Sequence, residues 1–237
     1  MDREQVRKSA LDVDQIALRM NLARFTEQIF RGAGKELHVA GHLLGTGRRD
    51  GISPFGHGDD ATVALSMLLR ISSELVSGSA ELIDTGRYYA GSALIRQLVE
   101  VEYLAWAFET KNEEASRWLR STREERFKFF TPAKLRAAAG DHFRSVDYGY
   151  HCELGGHPVP GSWVLLDDDG ASAQLLLSDC LGHTGRIWDH TLGWAKTHQN
   201  GSPVLIRSEE MSKRYLHWKN SDQLNALPPS PLFSSAW

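Results

Sequence analysis

The sequence predicts an all-α protein, a bundle of six to eight helices, and three observations predict it. Apolar residues recur at three- and four-residue intervals along most of the chain, the alternation of β-branched residues expected of strands is scarce, and Gly and Pro gather in short segments between the periodic stretches. A chain of 237 residues is long enough to bury one large core. We expect a single helical domain over 1–227 and an extended tail over 228–237, where Pro228-Pro-Ser-Pro231 opposes helix.

Residues 4–39 carry Ile16, Met20, Ala23, Ile29 and Leu37 among charges, the pattern of one long or one broken helix, with Gly32-Ala-Gly34 as the expected break. Six glycines and Pro54 within 41–58 make that stretch a loop. Asp59 or Asp60 then caps a helix over 61–84. Its Leu65, Leu68, Leu69, Ile71, Leu75, Val76, Leu82 and Ile83 share one arc, Ser66, Arg70, Ser73, Ser77 and Asp84 lie opposite, and Thr85-Gly86 ends it. Residues 87–110 are more apolar, with Leu94, Ile95, Leu98, Val99, Val101, Ala105, Trp106 and Phe108, and should form the central helix. The charged, aromatic stretch 112–139 should break at Thr131-Pro132 and stop at Gly140-Asp141. A further helix follows from about 141. The Pro-containing connector 156–170 ends in Asp167-Asp-Asp169, which lacks the EF-hand spacing and reads as a cap for a helix over 171–199. Gly201-Ser-Pro203 precedes a last helix over 206–225.

The formal charge of −3 excludes a surface wholly dedicated to nucleic acid but not a local basic patch. Two cysteines, Cys152 and Cys180, read as reduced thiols, and the charged Met1-Asp-Arg-Glu4 start is not signal-like, so a cytoplasmic location is expected. No stretch reaches the ~20 apolar residues that span a bilayer, and no membrane partner is expected.

Reactive residues concentrate in Asp147-Tyr-Gly-Tyr-His-Cys-Glu-Leu-Gly-Gly-His-Pro-Val-Pro-Gly-Ser-Trp163. His151, Cys152, Glu153 and His157 superficially suggest a metal, but adjacent helical residues point about 100° apart and no C-x-x-C or H-E-x-x-H occurs, so no metal or cofactor is expected. His157 before Pro158 either seats a helix end, with Gly155 or Gly156 as left-handed cap, or serves as a functional histidine. Glu102 projects between Leu98 and Trp106 in the apolar arc of its helix, and a carboxylate pointed into a core must be paired, protonated or functional. Arg96 and Glu100 lie on the opposite face as an i,i+4 pair. The stripe Asp179, His183, Arg186 and His190 spans about a 60° arc. It reads as a solvated polar face, or as an Asp-oriented histidine beside an anion-holding arginine. Arg117, Arg120, Arg123, Arg126, Lys128, Lys134 and Arg136 with Trp118, Phe127, Phe129 and Phe130 read as a salt-bridged surface or a single-strand platform.

Arg96-Gln-Leu-Val-Glu100 in a central helix and Tyr150-His-Cys-Glu-Leu-Gly-Gly-His-Pro158 at a later helix end resemble bacterial helical proteins related to abortive-infection and HEPN-like bundles, over roughly residues 60–160. The resemblance implies a bundle and, in HEPN ribonucleases, an Arg-x4–6-His motif that cleaves RNA in a dimer. Arg136-x5-His142 meets that spacing, but Ala137 replaces the usual polar residue and Gly140-Asp141 falls within the motif; Arg186 to His190 is one residue short. The expectation is a metal-independent protein of a bacterial defence or stress pathway that binds or cleaves RNA, with His157, Glu102, Arg96 and Glu100 around a shared pocket and His151, His142, Arg136, His183, Arg186 and His190 as lesser candidates. The alternative is a non-catalytic module that forms a homodimer or binds a protein partner, and metal-dependent hydrolysis stands third.

Overall fold

The structure, a computed structural model, describes residues 13–43, 58–111, 114–143, 145–166 and 171–221. The cap expected at Asp167–Asp169, most of the expected Gly-rich loop and the expected tail lie outside these. The described residues form ten α-helices and no strand. They are α1 Val13–Leu43, α2 Asp60–Asp84, α3 Tyr88–Thr110, α4 Glu114–Arg120, α5 Arg123–Phe129, α6 Pro132–Ala139, α7 Ser145–His151, α8 Ala171–Thr197, α9 Ser202–Leu205 and α10 Ser208–Ser221. A π-helical segment Cys152–Gly156 continues α7, and 3-10 turns occupy Gly140–His142 and Pro160–Leu165. The count exceeds six to eight because α4, α5, α6 and α9 are one or two turns each.

Four long helices build the core. Helix α1 packs on α2, α2 on α3, α3 on α8, and α8 on α1, which closes a ring around Phe30, Leu37, Leu65, Leu68, Leu69, Ile95, Leu98, Leu177 and Leu181, all buried. The tight Thr85–Arg87 turn makes α2 and α3 antiparallel neighbours, Gly86 taking φ +72°, a conformation that favours glycine. Helix α8 instead runs parallel to α3 and α1, since Glu102 meets His183 where Glu109 meets His190, and Arg19 meets Ser178 where Phe30 stacks on Trp188. A parallel neighbour needs a crossover, and the short helices described between Glu114 and Leu165 lie along it, α4 packed on α2, with α6, α7 and the π segment packed on α3. Under it, Tyr103 and Trp106 pack with Phe130, Leu135 and Phe143 in a smaller second core.

Several sequence-level details take a different form. Helix α1 does not break at Gly32-Ala-Gly34: a Cβ at Gly34 would stand 2.8 Å from Arg70 Cγ, so that glycine serves a close crossing with α2. Gly41 likewise stays in the helix, where a Cβ would lie 2.9 Å from the Val63 backbone nitrogen. The polar side of α2 is only partly solvated: Arg70, Ser77 and Asp84 are exposed, whereas Ser66 and Ser73 are buried and, like the buried Ser72, bond helix carbonyls at 2.7–2.9 Å, satisfying themselves locally while neighbours pack over them. As anticipated, Asp59 caps α2, accepting from Ala61 and Thr62 N–H groups, and Thr131-Pro132 starts α6. Gly140 at φ +61° ends α6 between Arg136 and His142. Cys152 and Cys180 are free thiols, and no described helix is long and apolar enough to cross a membrane.

Candidate functional site

The polar stripe of α8 is turned inward. Asp179, His183, Arg186 and His190 face α3 and the end of α7, so the solvated-face reading is overturned: His183 is 1% exposed. The cause is the parallel packing of α3 on α8, which sets two glutamates seven residues apart against two histidines seven residues apart. Glu102 Oε2 accepts from His183 Nδ1 at 2.7 Å, and two turns further on Glu109 Oε2 pairs with His190 Nδ1 at 2.6 Å. Glycine at 193 leaves the room that Glu109 occupies; a Cβ there would collide with its carboxylate.

Around Glu102 the network is dense. The carboxylate is 4% exposed, and its second oxygen accepts from Arg186 Nε at 2.8 Å. Nη2 of Arg186 lies 2.7 Å from His183 Nδ1. The far nitrogen of His183, Nε2, stands 3.0 Å from Nε2 of His151, itself 1% exposed, close enough for one ring to donate a proton to the other. Asp179 completes the group, with its carboxylate oxygens 3.5 Å from His183 Nε2 and 3.6 Å from His151 Nδ1. Burial opposes a charge on His183, but the bonds to Asp179 and Glu102 outweigh it and push its pKa up to about 9. Burial also works against the charge of Glu102, yet His183 and Arg186 hold its pKa below the ordinary value. Asp179 is shifted down in the same sense, His151 and His183 overcoming its desolvation. Two carboxylates therefore face two cations, His183 and Arg186.

His151 reaches this group because of how α7 ends. The chain widens into the π segment Cys152–Gly156, whose glycines press onto α3: a Cβ on Gly155 would lie 2.6 Å from the Ala93 nitrogen, and one on Gly156 2.8 Å from Arg96 Cδ. The two motif segments of the sequence thus meet. Gly155 and Gly156 are there for close approach and not as left-handed caps; neither has positive φ.

The ten predicted site residues do not share one pocket. Glu102, His183, Arg186 and His151 converge, while Arg96 and Glu100, on the opposite face of α3, pair at 2.8 Å and both bond the Tyr148 hydroxyl. Cys152 adjoins Arg96 on that side. His157 is exposed past the π segment, its backbone N–H bonded to the Cys152 carbonyl at 3.0 Å. Arg136 lies over the Tyr148 ring, and the exposed His142 stacks on Trp106 with its ring centroid 5.6 Å from that of His190. No protein-family model, curated protein or solved structure matches the chain.

Asp179 is the member that sequence reasoning placed in the stripe without counting it a site residue. The matched seven-residue spacing, Glu102–Glu109 and His183–His190, was the available signal. The basic stretch of the crossover is largely engaged locally: Arg117 pairs with Glu114 and lies 3.8 Å over the Phe129 ring, Arg120 pairs with the buried Asp60, and Arg126 bonds the Ser121 carbonyl. As an arrangement for chemistry, the cluster can pass a proton along Glu102, His183, His151 and Asp179, and Arg186, 47% exposed, can present a positive charge to an anion arriving from outside.

Proposed function

We propose that this is an RNA-directed helical protein of the abortive-infection, HEPN-like kind, with its working centre at Glu102, His183, His151, Asp179 and Arg186. The observation that carries the choice of centre is the histidine pair held nitrogen to nitrogen at 3.0 Å, one ring fixed by a buried carboxylate, beside an arginine that reaches solvent. Buried ionic groups seldom add stability over apolar residues of the same volume, so such a network on a helix that could have carried leucine favours a chemical role. Histidine near neutral pH moves protons, and a guanidinium holds phosphate oxygens. Both histidines are closed off, so an RNA phosphodiester would meet Arg186 and Asp179, 47% and 31% exposed; its 2′-hydroxyl would give its proton to Asp179 as the oxygen attacks phosphorus, and the departing 5′-oxygen would take a proton back from the same group. RNA as the polymer rests on the resemblance of the Arg96–Glu100 and Tyr150–Pro158 segments.

The test is incubation of purified protein with mixed cellular RNA, in chelator and with added Zn²⁺ or Mn²⁺, beside His183→Gln and Arg186→Ala. RNA shortened by the parent protein and intact with both variants supports the reading; intact RNA in every lane refutes cleavage.

A second reading has its own observation. Trp163 and Val164 on the 3-10 turn and Leu166 just after it are exposed apolar side chains, and the charges of the buried cluster cancel without any ligand. A protein-interaction module with a self-satisfied core would show both. It predicts unchanged RNA and an oligomer or complex weakened by Trp163→Ser in sedimentation.

A further inference from the structure

We infer that His151, Asp179 and His183 form a binding site for one first-row divalent transition-metal ion, with Glu102 as the group that orients His183. The inference deepens the choice of centre made above and does not depend on RNA being the substrate.

The donor atoms of the three residues all lie within 4.8 Å of one another. Two imidazole nitrogens bound at the usual ~2.0–2.1 Å in a tetrahedral site stand about 3.3 Å apart. The two Nε2 atoms are 3.0 Å apart and Asp179 Oδ1 is 3.5 Å from His183 Nε2, separations that bracket this value. An ion would take the place of the proton between the two rings, with the three side chains, whose donor atoms lie within 4.8 Å of one another, drawing in around it. Asp179 and His183 stand one helical turn apart on α8, and His151 arrives from α7, so the ligands come from two rigid elements.

The surroundings match what metal-binding histidines require. A ligating imidazole ordinarily donates its other N–H to a carboxylate, which fixes the ring and raises its basicity. His183 does so to Glu102 at 2.7 Å, and Arg186 braces that carboxylate from the other side. Two imidazoles and one carboxylate suit zinc, cobalt, nickel or iron(II) and not calcium or magnesium, which prefer all-oxygen sets. Three protein ligands leave a coordination position for water, the pattern of catalytic and not of closed structural sites. Asp179, the most exposed ligand at 31%, marks the side from which water enters. Linear spacing missed the site because it weighed His151 against Cys152, Glu153 and His157, its neighbours in sequence. The partners of His151 lie on α8, at positions 179 and 183.

The experiment is calorimetric titration of chelator-stripped full-length protein with Zn²⁺, and with Co²⁺ followed by visible absorption. The expected result is one ion per chain and cobalt bands of a four- or five-coordinate nitrogen–oxygen site. Asp179→Asn and His183→Gln, each checked for parental helicity by circular dichroism, should lose binding, and Glu102→Gln should weaken it about 10- to 100-fold while keeping the stoichiometry. Should His183→Gln not fold, Asp179→Asn, at a partly exposed position, carries the test. Absence of binding to the parent protein overturns the proposal. So does binding kept in Asp179→Asn but lost in His38→Ala/His42→Ala, which would place the ion on α1, where those two rings lie 4.5 Å apart. Stoichiometric metal with RNA left intact refutes the RNA reading alone; RNA cleavage in chelator without metal binding refutes the metal site alone.

Discussion

Glu102 and His183, 81 residues apart in sequence, share a 2.7 Å hydrogen bond between α3 and α8 inside the bundle, and neither side chain reaches water. The buried ionic cluster is arranged about that bond. It joins the Arg186 guanidinium to the second histidine and, through it, to Asp179.

Removing one partner should cost more than removing all of them. Glu102→Met leaves His183 and Arg186 facing each other without the carboxylate, and we expect a loss of about 3–5 kcal/mol in guanidinium-chloride unfolding. Glu102→Met/Asp179→Leu/His183→Leu/Arg186→Met together should recover most of that loss while abolishing any activity of the centre. A quadruple variant less stable than the single one would show that the network contributes net stability.

Stability of the metal-free protein should depend on pH on both sides of neutrality. His183 is raised from 6.5 to about 9, so its contribution is complete below pH 6.5 and is lost as pH rises through 9. Glu102 and Asp179 are lowered from 4.5 and 3.8, so theirs is present above those values and is lost as pH falls below them. Thermal unfolding in chelator should therefore be highest between about pH 5 and 6.5. Asp179→Asn and Glu102→Gln should flatten the alkaline fall. A parent melting temperature that stays level from pH 6.5 to 9.5 would contradict the charged His183.

Gly155→Ala tests whether the π segment must touch α3. The added Cβ meets backbone atoms of Ser92 and Ala93 at 2.6 Å, which cannot move without shifting α3. The expected cost is about 1–3 kcal/mol, with His151 displaced and metal affinity reduced. Gly156→Ala meets only the flexible Arg96 side chain, at 2.8 Å from Cδ, and should be milder in both assays.

Tyr215→Phe probes a second buried polar cluster. The Tyr215 hydroxyl sits between Thr26, at 3.1 Å, and Thr184, at 2.7 Å, tying α10 to α1 and α8. Each threonine retains a bond to a carbonyl of its own helix, so the loss should be modest, about 1–2 kcal/mol in chemical denaturation. Metal binding should be unchanged, because the cluster is independent of that tie.

Much of the helical plan was legible from local chemistry. Asp59 before an apolar run, Pro132 after Thr131 and Gly86 after α2 act within one turn, and such signals do not depend on the rest of the chain. Gly34 misled for the same reason: its local meaning is a break, and its role is set by Arg70 on α2. Glu102 was recognisable as a buried carboxylate because its angular position among Leu98 and Trp106 follows from helical geometry alone. The inward turn of the α8 stripe was not, since the same 60° arc serves equally as a wet face or an interface.

What the sequence by itself determined is the all-α class, the long helices with several of their ends, and the fact that Glu102 needed a partner. The tertiary structure decided which partner. A crossover of short helices brings α8 back parallel to α3, so His183 and Arg186 come to Glu102 and His151 comes to Asp179, while Arg96 and His157 stay outside. Periodicity fixes the direction a side chain takes from its own helix axis; the element it meets depends on how the whole apolar surface closes, and that is a property of the packed chain.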